Sequence, residues 1–136
     1  MEQNYRDFIE SLELIDVALL RLTVERHIDS PYGMEGVASF KHRFTLNRWE
    51  SGEIKGQGEF DVRAGTKEAP EAFFTIKLVL EAHYKTSAQP PDDERIKRIF
   101  AQRNLPINIW PYARETISSL TSRMGYPQLT IGVFKV

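Results

Sequence analysis

The sequence predicts an α+β domain: a four-stranded antiparallel sheet with two helices packed on it. Three observations carry this reading. Four segments before residue 87 set apolar residues at strand spacing, the stretch SAQPP at 87–91 breaks the pattern, and apolar residues beyond it recur at helical spacing. At 136 residues the chain is long enough for one core and too short for two, so a single domain over 1–136 is expected.

The first strand is LELIDVALLRLTVER, residues 12–26, which contains neither Gly nor Pro. Its even positions Leu12, Leu14, Ala18, Leu20, Leu22 and Val24 are expected on one face, and Ile15, Val17 and Leu19 make the other face apolar too, so something must cover both. HIDSPYGMEG, residues 27–36, reads as a loop, although Tyr32 and Met34 are unusually apolar for one. VASFKHRFTL then sets Ala38, Phe40, Phe44 and Leu46 against Ser39, Lys41, Arg43 and Thr45, as a strand with one wet face does. EIKGQGEFDVRAG alternates in the same way after a hairpin turn at RWESGE, where Gly52 can take positive φ. The fourth strand, AFFTIKLVLEAHYKT, puts Phe74, Ile76, Leu78, Leu80, Ala82 and Tyr84 on one face. Short connections imply that consecutive strands pair antiparallel.

Asp92 or Asp93 is a good N-cap for a first helix through DDERIKRIFAQRN, with Ile96, Ile99 and Phe100 at helical spacing. A second helix is expected from Pro111, because proline suits the first helical position. Its stripe is Ala113, Ile117, Leu120 and Met124, and Gly125 should cap its end. The tail YPQLTIGVFKV reads as extended.

Composition excludes several functions. The 18 basic residues are matched by 19 acidic ones, for a net charge of -1, and no basic run stands out, so nucleic acid is not an expected partner. With no cysteine there is no disulfide, thiolate metal site or cysteine nucleophile. The N-terminus lacks a signal peptide's pattern and no segment reaches the roughly 18 apolar residues of a membrane helix, so a cytoplasmic protein without membrane insertion is expected.

His27, His42 and His83 form no ligand pair, and no metal is expected. Gly56 and Gly58 lack the lysine and helix of a phosphate loop and mark instead a bulge or a close approach of another backbone. The carboxylates Glu10, Glu13 and Asp16 read as solvated, those at 92–94 as helix caps, and Ser118, Ser119 and Ser122 lack a nucleophile elbow. The chain is therefore expected to be neither an enzyme nor a cofactor binder. What remains are aromatic and apolar residues in unusual places: Tyr32, Met34, Trp110, Tyr112, Tyr126 and Phe134. They fill a core or subunit interface, or they form a surface for apolar peptide.

NIWPYARETISSLTSRMGYPQLTI, residues 108–131, resembles the signature region of the SecB family of export chaperones. Pro111, Tyr112, Ala113, Arg114 and Glu115 match the family's helix start, Ile117 and Ser118 its helix, and Pro127 and Leu129 the following turn. The resemblance extends upstream through Ala72 and Phe73 into the fourth strand. It implies a dimer-of-dimers homotetramer and an ATP-independent holdase that takes unfolded polypeptide, either preproteins or an aggregation-prone antitoxin, into long apolar grooves. Residues 32, 34, 110, 112, 126, 129 and 134 would then contact client, with Trp110 just before the second helix at the hinge of a lid. The first helix, through Ile96, Ile99 and Phe100, would supply a subunit interface.

Departures weigh against the motor protein SecA as a partner. The chain stops at Val136, where exporting members continue into a mobile extension, and Arg21 beside Glu25, the candidate partner-contact pair, replaces a clear acidic pair. SAQPPDDE is also longer than its export counterpart. These features stand closer to the SecB-like chaperones that accompany toxin–antitoxin pairs. A competing class is a small-ligand module or enzyme with an enclosed pocket, for which His83 and Glu81 would be the polar groups.

Overall fold

The computed structural model describes residues 2–27, 36–71 and 73–126. Its elements are α1 (Glu2–Glu10), β1 (Leu12–Arg26), β2 (Val37–Glu50), β3 (Glu53–Gly65), β4 (Phe74–Thr86), α2 (Glu94–Ile99), a π-helical turn (Phe100–Asn104) and α3 (Leu105–Arg123). All four predicted strands form one antiparallel sheet. Its order is β1-β4-β3-β2, which corrects the expectation that each strand pairs with the next. The connection between β1 and β2 is long enough to carry the chain to the far edge, so only the β2–β3 and β3–β4 pairs are formed by neighbours in sequence.

The β1 register corrects a second expectation. Bulges between Leu14 and Asp16 and between Leu19 and Arg21 each insert a residue, and each insertion reverses the parity of the strand. The side chains opposite the inward row of β4 are therefore Leu14, Val17, Leu19, Leu22 and Val24, rather than one unbroken even series. A third bulge, between Leu46 and Arg48, brings Trp49 to the inner face opposite Ile54.

Helical backbone runs without interruption from Glu94 to Arg123, since the joining residues Ile99, Phe100, Asn104 and Leu105 are all in the right-handed α region. Asp93 is the N-cap, accepting from the amides of Arg95 at 2.8 Å and Ile96 at 3.4 Å. The expected second start at Pro111 is corrected, because α3 begins at Leu105 and holds Pro111 inside it. The proline at its start is Pro106. A proline ring clashes with the carbonyl four residues back, and the wider π turn just before Pro106 relieves that clash without breaking the rod. Helix α1 was not foreseen; it docks through Phe8, whose ring lies 5.1 Å from Trp49 and 6.0 Å from Phe100.

The core lies between the inward rows of β3 and β4 and the helical rod. Ile54, Val62, Ile76, Leu78, Phe100, Leu105, Ile109 and Ile117 are all fully buried there. Gly52 and Gly125 take positive φ, as their turn and cap positions require. The β2 bulge between Leu46 and Arg48 lies beside Gly56, and Gly56 and Gly58 are both where α3 approaches the sheet. A Cβ on Gly58 would meet Phe44, Phe60 and Ile109 at 2.9, 3.0 and 3.1 Å. Gly58→Val is accordingly expected to lower stability by about 1–3 kcal/mol through overpacking, read as a lower urea midpoint.

Candidate functional site

The rod crosses the middle of the sheet, and the two edge strands β1 and β2 flank it. Leu105 reaches Gly56 and Ile109 reaches Gly58, while further along Tyr126 packs on Phe74, so α3 runs over β3 and β4. One flank is fixed by a hydrogen bond from the Tyr84 hydroxyl to Asn108 Oδ1, 2.7 Å. Burial pushes the Tyr84 hydroxyl pKa well up, which keeps it a neutral donor. Tyr112 follows Asn108 by one turn and so lies on the same flank of the helix.

On that side the inward face of β1 is only partly covered by the described residues: Val17 and Val24 pack against the core, while Leu14, Leu19 and Leu22 stay open. The β4 partners Leu78 and Leu80 are 1% and 4% exposed, but Leu22 and Leu19 opposite them are 38% and 55% exposed. Leu14, at 37%, extends the strip, and Tyr112 on α3 is 47% exposed. Fully burying such a side chain contributes about 1.5–3 kcal/mol, so this trough is a surface with a large unspent hydrophobic term. Ile15 and Leu20, the residues at the bulges, are also exposed.

The other margin, along β2, is aromatic. The Trp110 ring meets Phe40 at 5.4 Å and His42 at 5.2 Å, both edge to face, and Phe60 at 6.0 Å. Such contacts favour offset and edge geometries because of the ring quadrupoles.

The outer face of the sheet is polar and mixed in charge. Arg43 donates from Nε to Glu59 at 2.8 Å, Arg48 pairs with Glu53 at 2.8 Å, and Arg63 bonds both Asp61 and Glu71. The Asp61 carboxyl is held below its ordinary range chiefly by the Arg63 hydrogen bond. The two open depressions described there, one around His27, Arg63 and Pro70 and one around Arg21, Arg43 and Lys77, are lined mainly by charged and polar side chains. Among the described residues no cluster of three His, Asp or Glu could hold a metal ion, and no helix is long and apolar enough to cross a membrane.

The predicted site residues divide sharply. Tyr112 is exposed on α3. Trp110 corrects its expected hinge position, because it lies within α3 and is buried to 9% exposure between the rod and the aromatic margin. Tyr126 is also buried, with its hydroxyl donating to the Phe73 carbonyl at 3.1 Å. Tyr32, Met34, Leu129 and Phe134 lie outside the described residues. Ile96 and Phe100 are buried within the chain, while Ile99 is half-buried. Arg21 and Glu25 face outward opposite Val79 and Thr75. His83 and Glu81 share that face, with His83 3.9 Å from Glu53 and Glu81 accepting from Gln57. The trough leucines were not singled out from sequence, although two apolar faces on one strand were the signal.

No protein-family model matches the chain, and no curated protein matches it. Among solved structures it is similar to the Rv1957 SecB-like chaperone of Mycobacterium tuberculosis, in complex with a ChAD peptide from the HigA1 antitoxin, with a TM-score of 0.83, 17% identity and 94% of each chain covered. A protein of unknown function from Streptococcus agalactiae matches with a TM-score of 0.55 and 9% identity, over 89% of this chain and 96% of that one. Strand order, helical rod and near-complete coverage together give this chain the SecB-like fold.

Proposed function

We propose that the chain is an ATP-independent holdase that binds unfolded polypeptide in the trough between α3 and β1. One observation carries this: a row of leucines on the helix side of the sheet, Leu14, Leu19 and Leu22, that no described element covers. Apolar contacts of this kind are non-directional, so they accept Leu, Ile and Phe of many sequences. The likeness to a chaperone solved with an antitoxin peptide supports a polypeptide client. Work in the cytoplasm as a homotetramer is part of the reading, since several troughs on one assembly raise the effective concentration for successive segments of one client.

The outer face near β1 favours an antitoxin as client over export. Arg21 there breaks what would otherwise be an acidic strip of Glu13, Asp16 and Glu25, so SecA is left out of the proposal. Light scattering of a chemically denatured client diluted into buffer tests the function. The protein, at one tetramer per client, is expected to suppress aggregation equally with and without ATP. Unchanged precipitation would refute the holdase reading.

A further inference from the structure

The outer face of the sheet, opposite the trough, carries a cationic depression that the holdase reading does not use. Two neighbouring rows of side chains build it across all four strands. One row is Arg21, Val79, Glu59, Arg43, and the next is Thr23, Lys77, Asp61, Lys41. Arg21, Lys41, Arg43 and Lys77 are exposed, whereas Glu59 and Asp61 between them are half-buried, so the rim is positive and the carboxylates lie deeper. Both carboxylates are already engaged: Glu59 accepts from Arg43, and Asp61 accepts from Arg63. Arg43 remains 71% exposed in that pairing, and Arg21, Lys41 and Lys77 make no ion pair among the described residues. The flanking rows add Glu25 and Arg63 on one side and Glu81, bonded by Gln57, on the other. A local surplus of positive charge therefore stands on a chain whose net charge is -1.

We infer that this face docks an acidic polypeptide segment of a partner protein, with its carboxylates on Arg21, Lys77, Lys41 and Arg43. Arg21 and Arg43 stand on the two edge strands, three strand spacings or about 14 Å apart. A single phosphate or carboxylate cannot bridge that distance, and one exposed ion pair contributes little, so the ligand that uses these groups is a chain bearing several anions. A nucleic-acid strand carries a phosphate about every 3.4 Å and would set some of them against Glu59 and Asp61. A polypeptide can place acids over the rim and neutral residues over the centre. Arg21, unpaired among the described residues, can present its planar guanidinium to a carboxylate in two parallel hydrogen bonds. Because the depression and the trough lie on opposite faces of the sheet, the acidic segment and an unfolded client can be held at once.

Fluorescence anisotropy on the full chain tests it. The probe is a labelled peptide of about twelve residues with glutamates spaced by serine and glycine, long enough to span the depression. Its lysine counterpart and an RNA oligonucleotide of equal charge are the controls. The glutamate peptide is expected to bind at least about tenfold more tightly than either, and to weaken as ionic strength rises, since exposed charges are screened. Arg21→Glu/Lys77→Glu should lower its affinity at least about tenfold, and Arg21→Ala/Lys77→Ala by a smaller factor. Suppression of client aggregation should be unchanged in both variants. Leu19→Gln/Leu22→Gln separates the two surfaces: it should impair aggregation suppression and spare the peptide. Absent binding of the glutamate peptide would overturn the inference, as would binding unchanged in both Arg21 variants. Tighter binding of the RNA would overturn it by assigning the face to nucleic acid. Loss of the peptide in the Leu19 variant alone would overturn it too, by placing the peptide in the trough.

Discussion

Replacing Leu19 and Leu22 together by glutamate is expected to abolish most of the holdase activity while leaving the fold in place. The two leucines lie side by side on the inner face of β1 and are 55% and 38% exposed. Each has about half of its possible burial still to gain, so a client covering both would gain roughly 2 kcal/mol from them, or about 30-fold in affinity. Glutamate removes that gain and adds the cost of desolvating a charge, so the measured loss should exceed this figure. Surface changes of this kind usually alter stability by less than about 0.5 kcal/mol. The check is isothermal titration with an unfolded client, beside a urea denaturation curve. Undiminished client binding would move the site away from the trough.

Phe100→Ala should have the largest effect on stability. Phe100 is fully buried in the π turn, with ring centroids 6.0 Å from Phe8, 5.6 Å from Trp49 and 5.2 Å from Tyr84. It therefore joins α1, the end of β2 and β4 to the helical rod. Truncation leaves a cavity that these rings cannot close by small shifts, and the expected loss is about 3–5 kcal/mol. That is a large fraction of the 5–15 kcal/mol or so that holds a typical domain folded. A thermal scan should show the melting midpoint fall by about 10 °C or more. A shift of only a degree or two would mean that α1 and the rod are held by other contacts. Neighbouring hydrogen bonds, Tyr5 to Asn104 and Trp49 Nε1 to the Pro91 carbonyl at 2.9 Å, are the candidates for that role.

Much of this fold was legible in the chain because strands and helices write their periods locally. The alternations in β2, β3 and β4, the turn at Gly52, the Asp93 cap and the Gly125 cap all depend on residues within a few positions of one another. The continuous rod was not legible. Pro111 reads locally as a boundary, and the π turn before Pro106 is held by contacts from distant elements, through Phe100 to Phe8, Trp49 and Tyr84. Helix α1 is short and mostly polar, and among its described side chains Phe8 alone is buried, so its stability comes from docking rather than from its own pattern.

The candidate site divides in the same way. Tyr112 was identified as part of a motif, and in the structure it is exposed. Trp110 and Tyr126 carry the same kind of side chain nearby, yet both are buried. A sequence records that an aromatic ring is present, but exposure depends on which elements lie over it.

The sequence by itself determined the fold class, the strands, the helical region and the absence of cysteine chemistry, because each follows from composition or from spacing along the chain. Only the tertiary structure decided which apolar residues stay open. Two bulges in β1 reset which leucines face inward, and the strand order places β1 at an edge of the sheet, outside the strands that α3 crosses. Burial is a property of packing between distant segments, so the trough and the aromatic margin of β2 exist only once the sheet has assembled and the rod has crossed its centre.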